Sequence, residues 1–373
     1  MENYFFIDQL ELTNFKNYEI LSLDLCKGFN CFSGKNGMGK TNILDAINTI
    51  CLGKSHFSLT DSQLVRDGSD FFRIQALVDK KNKKDSYVVK YKLRGKKQIE
   101  KNKIVFAKLA DHIGNLPVVF IGPDDIQLLL EGSEERRRFM DLAMVQLDPH
   151  YLSQLLTYNK LLEQRNALLK SVVEGKEPDP ILLGYYNQQM LQPANYIFEK
   201  RSWFIDKLIP LFKQAYALLS NQQEEVDIEY ISELKTDSLE ILFQQSLKKD
   251  IILQRTTKGV HKDDLELFMR GKSIKKMASQ GQLKSFILAM KLAKYQVLAQ
   301  EQGIHPILLL DDVFDKLDAH RVRQLLDLLL FLQVGQVFIT DTHSNRVASL
   351  LESRESTLPF RSFEIENAKL IYL

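Results

Sequence analysis

The chain is poor in cysteine, with three in 373 residues: Cys26, Cys31 and Cys51. So small and odd a number excludes a framework of several disulfides. It is typical of proteins that fold in a reducing compartment, where thiols stay free. We therefore expect a cytoplasmic protein whose core forms without cross-links, which a chain of this length can achieve.

Long apolar runs are also missing. The richest one, 325–332, is interrupted by Asp327 and is far shorter than the roughly 20 residues that cross a bilayer. The first residues carry no basic segment followed by an apolar one, so no secretory signal is predicted. The sequence thus predicts no membrane contact.

Net charge is small as well, because 50 basic and 48 acidic side chains leave only +2. Taken alone, a sum so close to zero argues against a nucleic-acid binder. The composition is otherwise that of an ordinary globular protein, with 45% hydrophobic and 26% charged residues. Composition therefore does not indicate which reaction or ligand the protein has, and the sequence motifs have to be considered for that.

Hydrophobic periodicity divides the chain into three parts. Residues 1–125 contain strands of alternating polarity, which predict an antiparallel β subdomain. Residues 126–225 have helical spacing, interrupted by Arg165, and are expected to form a helical insertion domain. Residues 226–373 return to alternating strands and helices. We predict an α/β fold in which two continuous apolar runs near the end are buried parallel strands.

The segment 34–41 matches the phosphate-binding P-loop, G-x-x-x-x-G-K-[ST]. Glycines let the backbone curl so that its N–H groups point at phosphates, and the following helix adds its positive end. Lys40 is expected to contact the β- and γ-phosphates during catalysis, and Thr41 to ligate Mg²⁺. A strand before and a helix after the pattern disfavour a chance glycine turn. The nucleotide-binding residues are Gly34, Lys35, Asn36, Gly37, Met38, Gly39, Lys40 and Thr41.

Two carboxylates, Asp311 and Asp312, follow the apolar run 307–310. A P-loop protein needs a carboxylate at the tip of a neighbouring parallel strand to hold Mg²⁺, and Asp311 has that position. Asp312 is then the candidate general base for the attacking water. The alternative is a buried strand that ends in a solvated acidic turn.

A serine and a glycine, Ser279 and Gly281, open a long helix just before this acidic strand. A helix N-terminus capped by serine can bind an anion. Ordinary N-capping is the alternative, and without further context it is favoured.

Together these segments resemble the Walker A, signature and Walker B motifs of ABC-type ATPases, with 315–318 as the D-loop. The S-x-G-Q form of the signature is similar to the SMC and recombination-repair branch, whereas transporters usually have S-G-G-Q. The match is closer still to the RecF family of DNA replication and repair proteins. Five segments carry that resemblance: 12–18, 120–125, 132–141, 259–265 and 279–284.

The resemblance implies an ABC-type P-loop ATPase head that forms a head-to-tail homodimer around ATP. Ser279, Gly281 and Gln282 would contact the nucleotide bound by a second copy. Asp318 would lie at the dimer seam, and Lys16 would reach the nucleotide from the first strands, with an exposed turn lysine as the alternative. Weak hydrolysis of ATP with Mg²⁺ would act as a dimerisation switch.

The resemblance also implies partners. These are DNA, single-stranded or duplex, at gaps or junctions, and the proteins RecO and RecR. The implied task is ATP-dependent DNA binding in repair and replication that helps to load the recombinase RecA onto gapped DNA.

Two positions depart from the wider ABC pattern. Asp312 stands where glutamate is usual, which suggests slow turnover. His343 is the candidate switch histidine, but it follows its strand one or two residues late, so Asp341 and Thr342 are alternatives. No Q-loop glutamine is identified, although 122–125 occupies that part of the chain.

The basic residues are concentrated in one segment. Between Lys80 and Lys103 there are eleven Lys or Arg and two acids, a net charge of +9, so the rest of the chain carries −7. Such a surface binds phosphates without sequence preference and weakens with salt; a solvated hairpin face is the alternative. The candidate DNA contacts are Lys80, Lys81, Lys83, Lys84, Lys96, Lys97, Lys101 and Lys103.

Three further arginines, 136–138, start a helix, and for them internal pairing and a DNA or interface role are equally compatible with the sequence.

Two other functions of the chain also stay open. One is the nucleotide-binding subunit of an ABC transporter, which predicts an S-G-G-Q signature. The other is a phage-defence P-loop ATPase, in which the basic hairpin is only surface.

Overall fold

The computed structural model describes residues 5–171, 178–220, 224–316, 319–343, 346, 349–350 and 359–371. The chain divides into two compact units. The first comprises Met1–Ile126, Gln214–Gln223 and Gln280–Leu373, and the second comprises Gln127–Lys213 and Glu224–Ser279. Within the described ranges, no helix has both the length and the apolar character needed to cross a membrane.

An antiparallel sheet begins the first unit. Its strands, in spatial order, are β2 (Tyr18–Asp24), β1 (Phe5–Phe15), β4 (Phe71–Lys80), β5 (Lys83–Lys92), β6 (Gln98–Lys101) and β7 (Ile104–Val105). Every second residue from Phe72 to Val78 of β4 is buried and those between are half-buried, and in β2 Leu21 and Leu23 are buried between exposed residues, as the period-two pattern predicts. One face of this sheet therefore belongs to the core.

A mostly parallel sheet forms the second layer of this unit. In spatial order its strands are β15 (Lys369–Ile371), β14 (Phe360–Glu366), β3 (Phe29–Ser33), β13 (Val337–Asp341), β12 (Ile307–Leu310) and β8 (Val118–Ile121). Only the β14–β15 pair is antiparallel among these neighbours. The four strands from β3 to β8 are buried throughout, which explains the continuous apolar runs of β8 and β12.

Four helices complete the described part of the first unit: α1 (Lys40–Leu52), α2 (Leu109–His112), α9 (Gln280–Gln302) and α10 (Ala319–Phe331). The most buried is α1, which packs against β4 and β5 on one side and against β8 and β13 on the other. Because α1 begins directly after the P-loop, its packing between the two sheets fixes the loop's position.

The second unit combines helices with a small sheet. Its helices are α3 (Gln127–Leu130), α4 (Ser133–Leu147), α5 (Pro149–Lys170), α6 (Pro180–Leu219), α7 (Leu239–Leu253) and α8 (Ile274–Met277), although the end of α6, from Gln214, is assigned to the first unit. Its sheet has the spatial order β11 (Lys272–Ser273), β10 (Asp264–Met269) and β9 (Val226–Ile231).

The division of the chain differs from the one expected at its second boundary. We expected the insertion to end near residue 225 and 226–373 to belong to the ATPase head. In the structure 226–279 belongs to the second unit. The reason is pairing within that unit, since β9 forms its ladder with β10 and α4 packs against β10.

A buried ion pair lies in the core of the second unit. Arg165 Nη1 donates to Asp250 Oδ2 at 2.8 Å, and both side chains are completely buried. Arg165 also donates to Thr256 and Asn187, and its guanidinium lies 4.4 Å from the centre of the Phe243 ring. The arginine that interrupts the apolar spacing of α5 therefore serves as a core residue.

Replacing Arg165 with methionine is expected to lower the free energy of unfolding by about 3–5 kcal/mol, because Asp250 keeps a buried charge without its partner. Replacing both residues, Arg165→Met with Asp250→Leu, is expected to recover part of this loss. Urea unfolding of the three proteins measures the difference. A loss below about 1 kcal/mol in the single variant would contradict the assignment of this pair as a compensated buried charge.

Candidate functional site

The P-loop connects β3 to α1, and its glycines occupy backbone conformations that other residues rarely adopt. The φ angles of Gly34, Gly37 and Gly39 are +145°, +80° and +108°. A Cβ at Gly34 would overlap the carbonyl oxygen of Ile365 in β14, and one at Gly39 would overlap the Tyr18 side chain. At Gly34 and Gly39 both the backbone angle and the neighbouring atoms therefore require glycine, whereas at Gly37 the positive φ alone favours it.

Lys40 is buried at the start of α1. Its Nζ donates to the carbonyl oxygens of Gly34 at 2.7 Å and Lys35 at 2.9 Å, so the ammonium lies inside the curl of the loop. The adjoining cleft has a volume of about 190 Å³ and is lined by Asn36, Gly37, Gly39, Lys40, Thr41, Asn42 and Asp312. The structure thus brings one of the two predicted carboxylates to the P-loop cleft.

The second predicted carboxylate contacts the P-loop directly. Thr41 Oγ1 donates to Asp311 Oδ1 at 2.9 Å, and Thr340 Oγ1 donates to the same oxygen at 2.8 Å. The register of β12 and β13 pairs Leu310 with Ile339, so the next residues, Asp311 and Thr340, also lie side by side. The parallel sheet therefore delivers both groups to one edge.

Thr340 is a site residue that the sequence motifs did not reveal. Besides its bond to Asp311, its hydroxyl accepts a hydrogen bond from the backbone N–H of Asp312 at 2.8 Å. One hydroxyl thus positions both consecutive acids. The only sign of it in the sequence is its place directly after the apolar residues 337–339 of β13.

The electrostatics of Asp311 suit a cation. The residue is only 3% exposed, and burial raises the pKa of its carboxyl to about 6. Hydrogen bonds from Thr340 and Thr41 lower this pKa, while the charge of Asp312 raises it further. The Thr41 hydroxyl and the Asp311 carboxylate together offer hard oxygen ligands, the kind that Mg²⁺ prefers. The residues present therefore fit the predicted metal.

Asp312 has an unusual backbone. Its φ is +46°, in the left-handed region that few residues other than glycine occupy. Such conformations cost free energy and are concentrated at functional sites. Here the conformation places an acid of the cleft directly after the end of β12.

Lys16 has an internal partner. Its Nζ lies 2.7 Å from Asp45 Oδ2 in α1 and 5.0 Å from the centre of the Phe57 ring. Its side chain is 11% exposed, so the alternative of an exposed turn lysine is wrong. Contact with a nucleotide stays a prediction for this residue.

The candidate switch histidine lies on the surface. The side chain of His343 is 64% exposed, and its backbone N–H donates to Asp341 Oδ1 at 3.0 Å. Asp341 is buried and pairs in register with Ser33, the last residue of β3. Asp341 is thus the acidic residue aligned with the strand that enters the P-loop.

The signature residues occupy the start of α9. Ser279 directly precedes the helix, and Gly281 and Gln282 lie in its first turn. A Cβ at Gly281 would overlap the guanidinium of Arg321 in α10, so glycine permits a close approach of an arginine. Asp318, the D-loop candidate, lies outside the described residues.

A second residue that the motifs did not reveal connects α9 to the end of β8. Lys291 Nζ donates to Asp125 Oδ1 at 2.5 Å and to the Phe120 carbonyl at 3.0 Å. Asp125 in turn accepts a bond from the N–H of Gly122. The signal was a lysine within the apolar pattern of α9, where its side chain is 11% exposed.

Three of the eight candidate DNA contacts form ion pairs within the chain. Lys84 pairs with Asp8 at 2.6 Å, Lys97 with Asp61 at 2.6 Å and Lys101 with Asp85 at 2.9 Å. The other five are exposed: Lys80, Lys81, Lys83, Lys96 and Lys103. The segment therefore keeps a basic surface, although three of the eight candidate lysines, and Lys90 through Glu100, are already paired with acids.

The exposed lysines lie at two ends of the antiparallel sheet. Residues 81–82 and 102–103 form two-residue turns with positive φ, and Asn102 bonds to Asp85 and Ser86, which follow the first turn. These turns share one end of the sheet. Lys96 lies beyond the other end of β5, whose ten residues span about 30 Å.

Arg136 and Arg137 have structural roles in the second unit. Arg136 binds both carboxylate oxygens of Asp264, at 2.5 Å and 3.0 Å. Arg137 donates to the carbonyl of Asp263 and to Ser133. For these two arginines the structure favours internal pairing over a DNA or interface role.

Segments that carry the family resemblance meet in the core of the second unit. Arg201 pairs with Asp141 from the segment 132–141 and with Asp263 from the segment 259–265, each at 2.9 Å. The Tyr230 hydroxyl donates to Asp263 at 2.5 Å. These segments therefore form a buried hydrogen-bonded network, which has to be complete because unpaired buried charges are costly.

Comparisons with known proteins agree with this geometry. A family model described as an AAA domain matches residues 9–329. The DNA replication and repair protein RecF of Cytophaga hutchinsonii is 41% identical to the chain, over 98% of the chain and 96% of its own length. RecF of Flavobacterium johnsoniae is also 41% identical, over 94% and 98%.

Solved structures give the same result. A structure of the recombination mediator protein RecF with ATP, in the RecFOR pathway, is 27% identical and superposes with a TM-score of 0.87, over 100% of the chain and 99% of its own. An Smc head domain from Pyrococcus furiosus, 17% identical, has a TM-score of 0.55 over 92% and 91%, which shows the fold alone. The predicted ABC-type ATPase fold is confirmed, and the chain belongs to the RecF family.

Proposed function

We propose that this chain is an ATP-dependent DNA-binding protein of recombinational repair and replication that hydrolyses ATP slowly. The observation that carries the proposal is the 2.9 Å bond between Thr41 Oγ1 and Asp311 Oδ1, which joins a P-loop hydroxyl to a buried carboxylate 270 residues further along. Relatives named for DNA replication and repair, and the RecF structure with ATP, support it. Family membership favours this function over a transporter subunit or a phage-defence ATPase.

The residues of the cleft divide the work. Backbone N–H groups of the P-loop hold the phosphates, and Lys40 turns from the loop carbonyls to phosphate oxygens. Thr41 and Asp311 hold Mg²⁺, which when bound stabilises negative charge on the phosphates. Asp312 accepts a proton from the attacking water. Its side chain is one methylene shorter than glutamate, so it reaches the water less well and turnover is slow.

Dimerisation completes the proposal. Ser279, Gly281 and Gln282 at the start of α9 cover ATP bound by a second copy, and Asp318 lies at the seam. ATP then contributes binding energy to the homodimer, and hydrolysis removes it. Lys16, in the turn between β1 and β2, contacts the nucleotide from the first strands. RecO and RecR are the proposed partners in the cytoplasm, and gapped DNA is the proposed substrate for recombinase loading.

Replacing Lys40 with alanine is expected to abolish both ATP binding and hydrolysis. Asp312→Asn is expected to bind ATP with nearly unchanged affinity but to hydrolyse it at least about 100-fold more slowly, because the proton acceptor is removed. Binding of a fluorescent ATP analogue and release of phosphate measure the two effects separately. Hydrolysis by Asp312→Asn at the wild-type rate would show that another residue is the base.

Replacing Ser279 with arginine is expected to block the homodimer while leaving ATP binding to each monomer intact, because a bulky side chain then meets the second copy's nucleotide. Sedimentation with and without ATP reports the dimer, and the fluorescent ATP analogue provides the control. If ATP never promotes dimers of the wild type, contact in trans is wrong, even where nucleotide binding persists.

The exposed basic residues at the two ends of the antiparallel sheet can be compared with matched triple variants. Lys81→Ala, Lys83→Ala and Lys103→Ala change one end, and Lys92→Ala, Arg94→Ala and Lys96→Ala change the other. We expect the first set to reduce the salt dependence of duplex DNA binding by about 0.9 in log–log slope for each DNA phosphate that is no longer neutralised, and the second set to change it less. Fluorescence anisotropy at graded salt provides the slopes. Unchanged slopes in both proteins would exclude this sheet as the DNA surface.

A further inference from the structure

A cavity of about 300 Å³ lies in the second unit, away from the P-loop cleft, and five consecutive residues of β10, 264–268, line it. Successive side chains of a strand point to opposite faces of its sheet. A cavity that touches all five therefore lies along the edge of the strand. We call this cavity the edge groove.

The backbone of β10 is only partly paired on this edge. β11 covers Phe268 and Met269 alone, across a two-residue turn at 270–271 with positive φ. In such a turn the flanking residues 269 and 272 exchange both hydrogen bonds. Because bonding direction alternates along a strand, the backbone groups of Leu265 and Leu267 also face this edge.

Two of these backbone groups have no partner within the described residues. In the last residue pair of the ladder, Phe268 with Ser273, the Leu267 carbonyl accepts a hydrogen bond and is therefore occupied. The N–H of Leu265 donates to the Asp264 carboxylate at 2.7 Å. The Leu265 carbonyl and the Leu267 N–H stay available, and this acceptor and donor are the pair that one additional strand would use.

The opposite wall of the groove comes from α8. Ile274 is buried, whereas Lys275 and Lys276 are exposed. The flanking residues Leu130 and Met277 are exposed by 46% and 48%. The groove thus offers an apolar floor with two lysines at its rim.

The acidic residues of the groove limit what can bind. Asp264 is neutralised by its bidentate bond to Arg136. Glu266 is exposed and lies across from Glu229 of β9, so a further carboxylate beside it would be repelled. An added strand therefore needs an uncharged residue next to Glu266 and can place carboxylates only towards the lysines.

We propose that the edge groove docks an extended, acidic segment of a partner protein, which adds to β10 as a further strand. Its apolar side chains lie at alternate positions beside Leu265 and Leu267, an uncharged residue lies next to Glu266, and flanking carboxylates meet Lys275 and Lys276. Main-chain hydrogen bonds supply affinity in this mode, and the alternating side chains supply selectivity.

The position of the groove gives docking a consequence. A single residue separates Met277, the last residue of α8, from Ser279. A strand that holds α8 in place therefore also restricts the position of Ser279, the first residue of the signature. This consequence rests on the proposed role of Ser279 in ATP-dependent dimerisation. Docking itself does not, and it can be measured without nucleotide.

The test uses the full chain and a fluorescein-labelled peptide, Asp-Asp-Val-Ser-Val-Asp-Asp. We expect saturable binding by fluorescence anisotropy without ATP. Lys275→Glu with Lys276→Glu, both exposed, is expected to weaken binding by at least about tenfold, because like charges then meet. ATP binding by that variant serves as the control for folding.

Two matched peptides complete the test. Methylation of the backbone nitrogens of the serine and the second valine keeps all side chains and is expected to weaken binding about threefold to tenfold, because one hydrogen bond can no longer form. Lys-Lys-Val-Ser-Val-Lys-Lys is expected not to bind. The proposal is overturned if no acidic peptide binds, if the methylated peptide binds equally well, or if the lysine peptide binds as tightly. Absence of ATP-driven dimers with retained peptide binding would instead count against the proposed function alone.

Discussion

The carboxylate of Asp311 is buried at the end of β12, and a buried negative charge costs free energy unless neighbouring groups compensate it. Thr41 from the P-loop and Thr340 from β13 both donate to it. Neither hydroxyl reaches it unless β3, β13 and β12 lie side by side in their observed register. The parallel sheet, the packing of α1 between two sheets and the path of the P-loop are therefore all conditions for one compensated charge.

Local chemistry made part of this site predictable. The glycines of the P-loop, the lysine that follows and the carboxylates after an apolar run are each required by short-range physics, so their pattern can be read along the chain. Thr340 could not be assigned in this way, because its role depends on the register between two strands. Lys291 likewise acquires its role from Asp125, which is distant in sequence. The same reason explains the boundary near residue 225, since β9 belongs with β10 through pairing that no local pattern indicates.

Counting charges along the sequence located the basic segment but not which of its lysines are free of acidic partners. The segment from Lys80 to Lys103 is basic in sequence, but Asp8, Asp61 and Asp85 neutralise three of its lysines in the structure. Exposed ion pairs of this kind add little stability. Their larger effect is on the surface field, because they separate the remaining exposed charge into two groups at opposite ends of β5. Arg136 and Arg165 show the converse, since both arginines form ion pairs inside the second unit.

The pairing of β3 has a consequence for synthesis on the ribosome. β3 ends at Ser33, yet both of its neighbours, β13 and β14, come from residues 337–341 and 360–366. A ribosome adds about 5–20 residues per second, so this apolar strand emerges tens of seconds before either neighbour exists. Throughout that interval it has two unpaired edges, which is the condition under which strands join other chains. The architecture that places the P-loop at the centre of the sheet thus makes the nascent chain dependent on protection of its first buried strand.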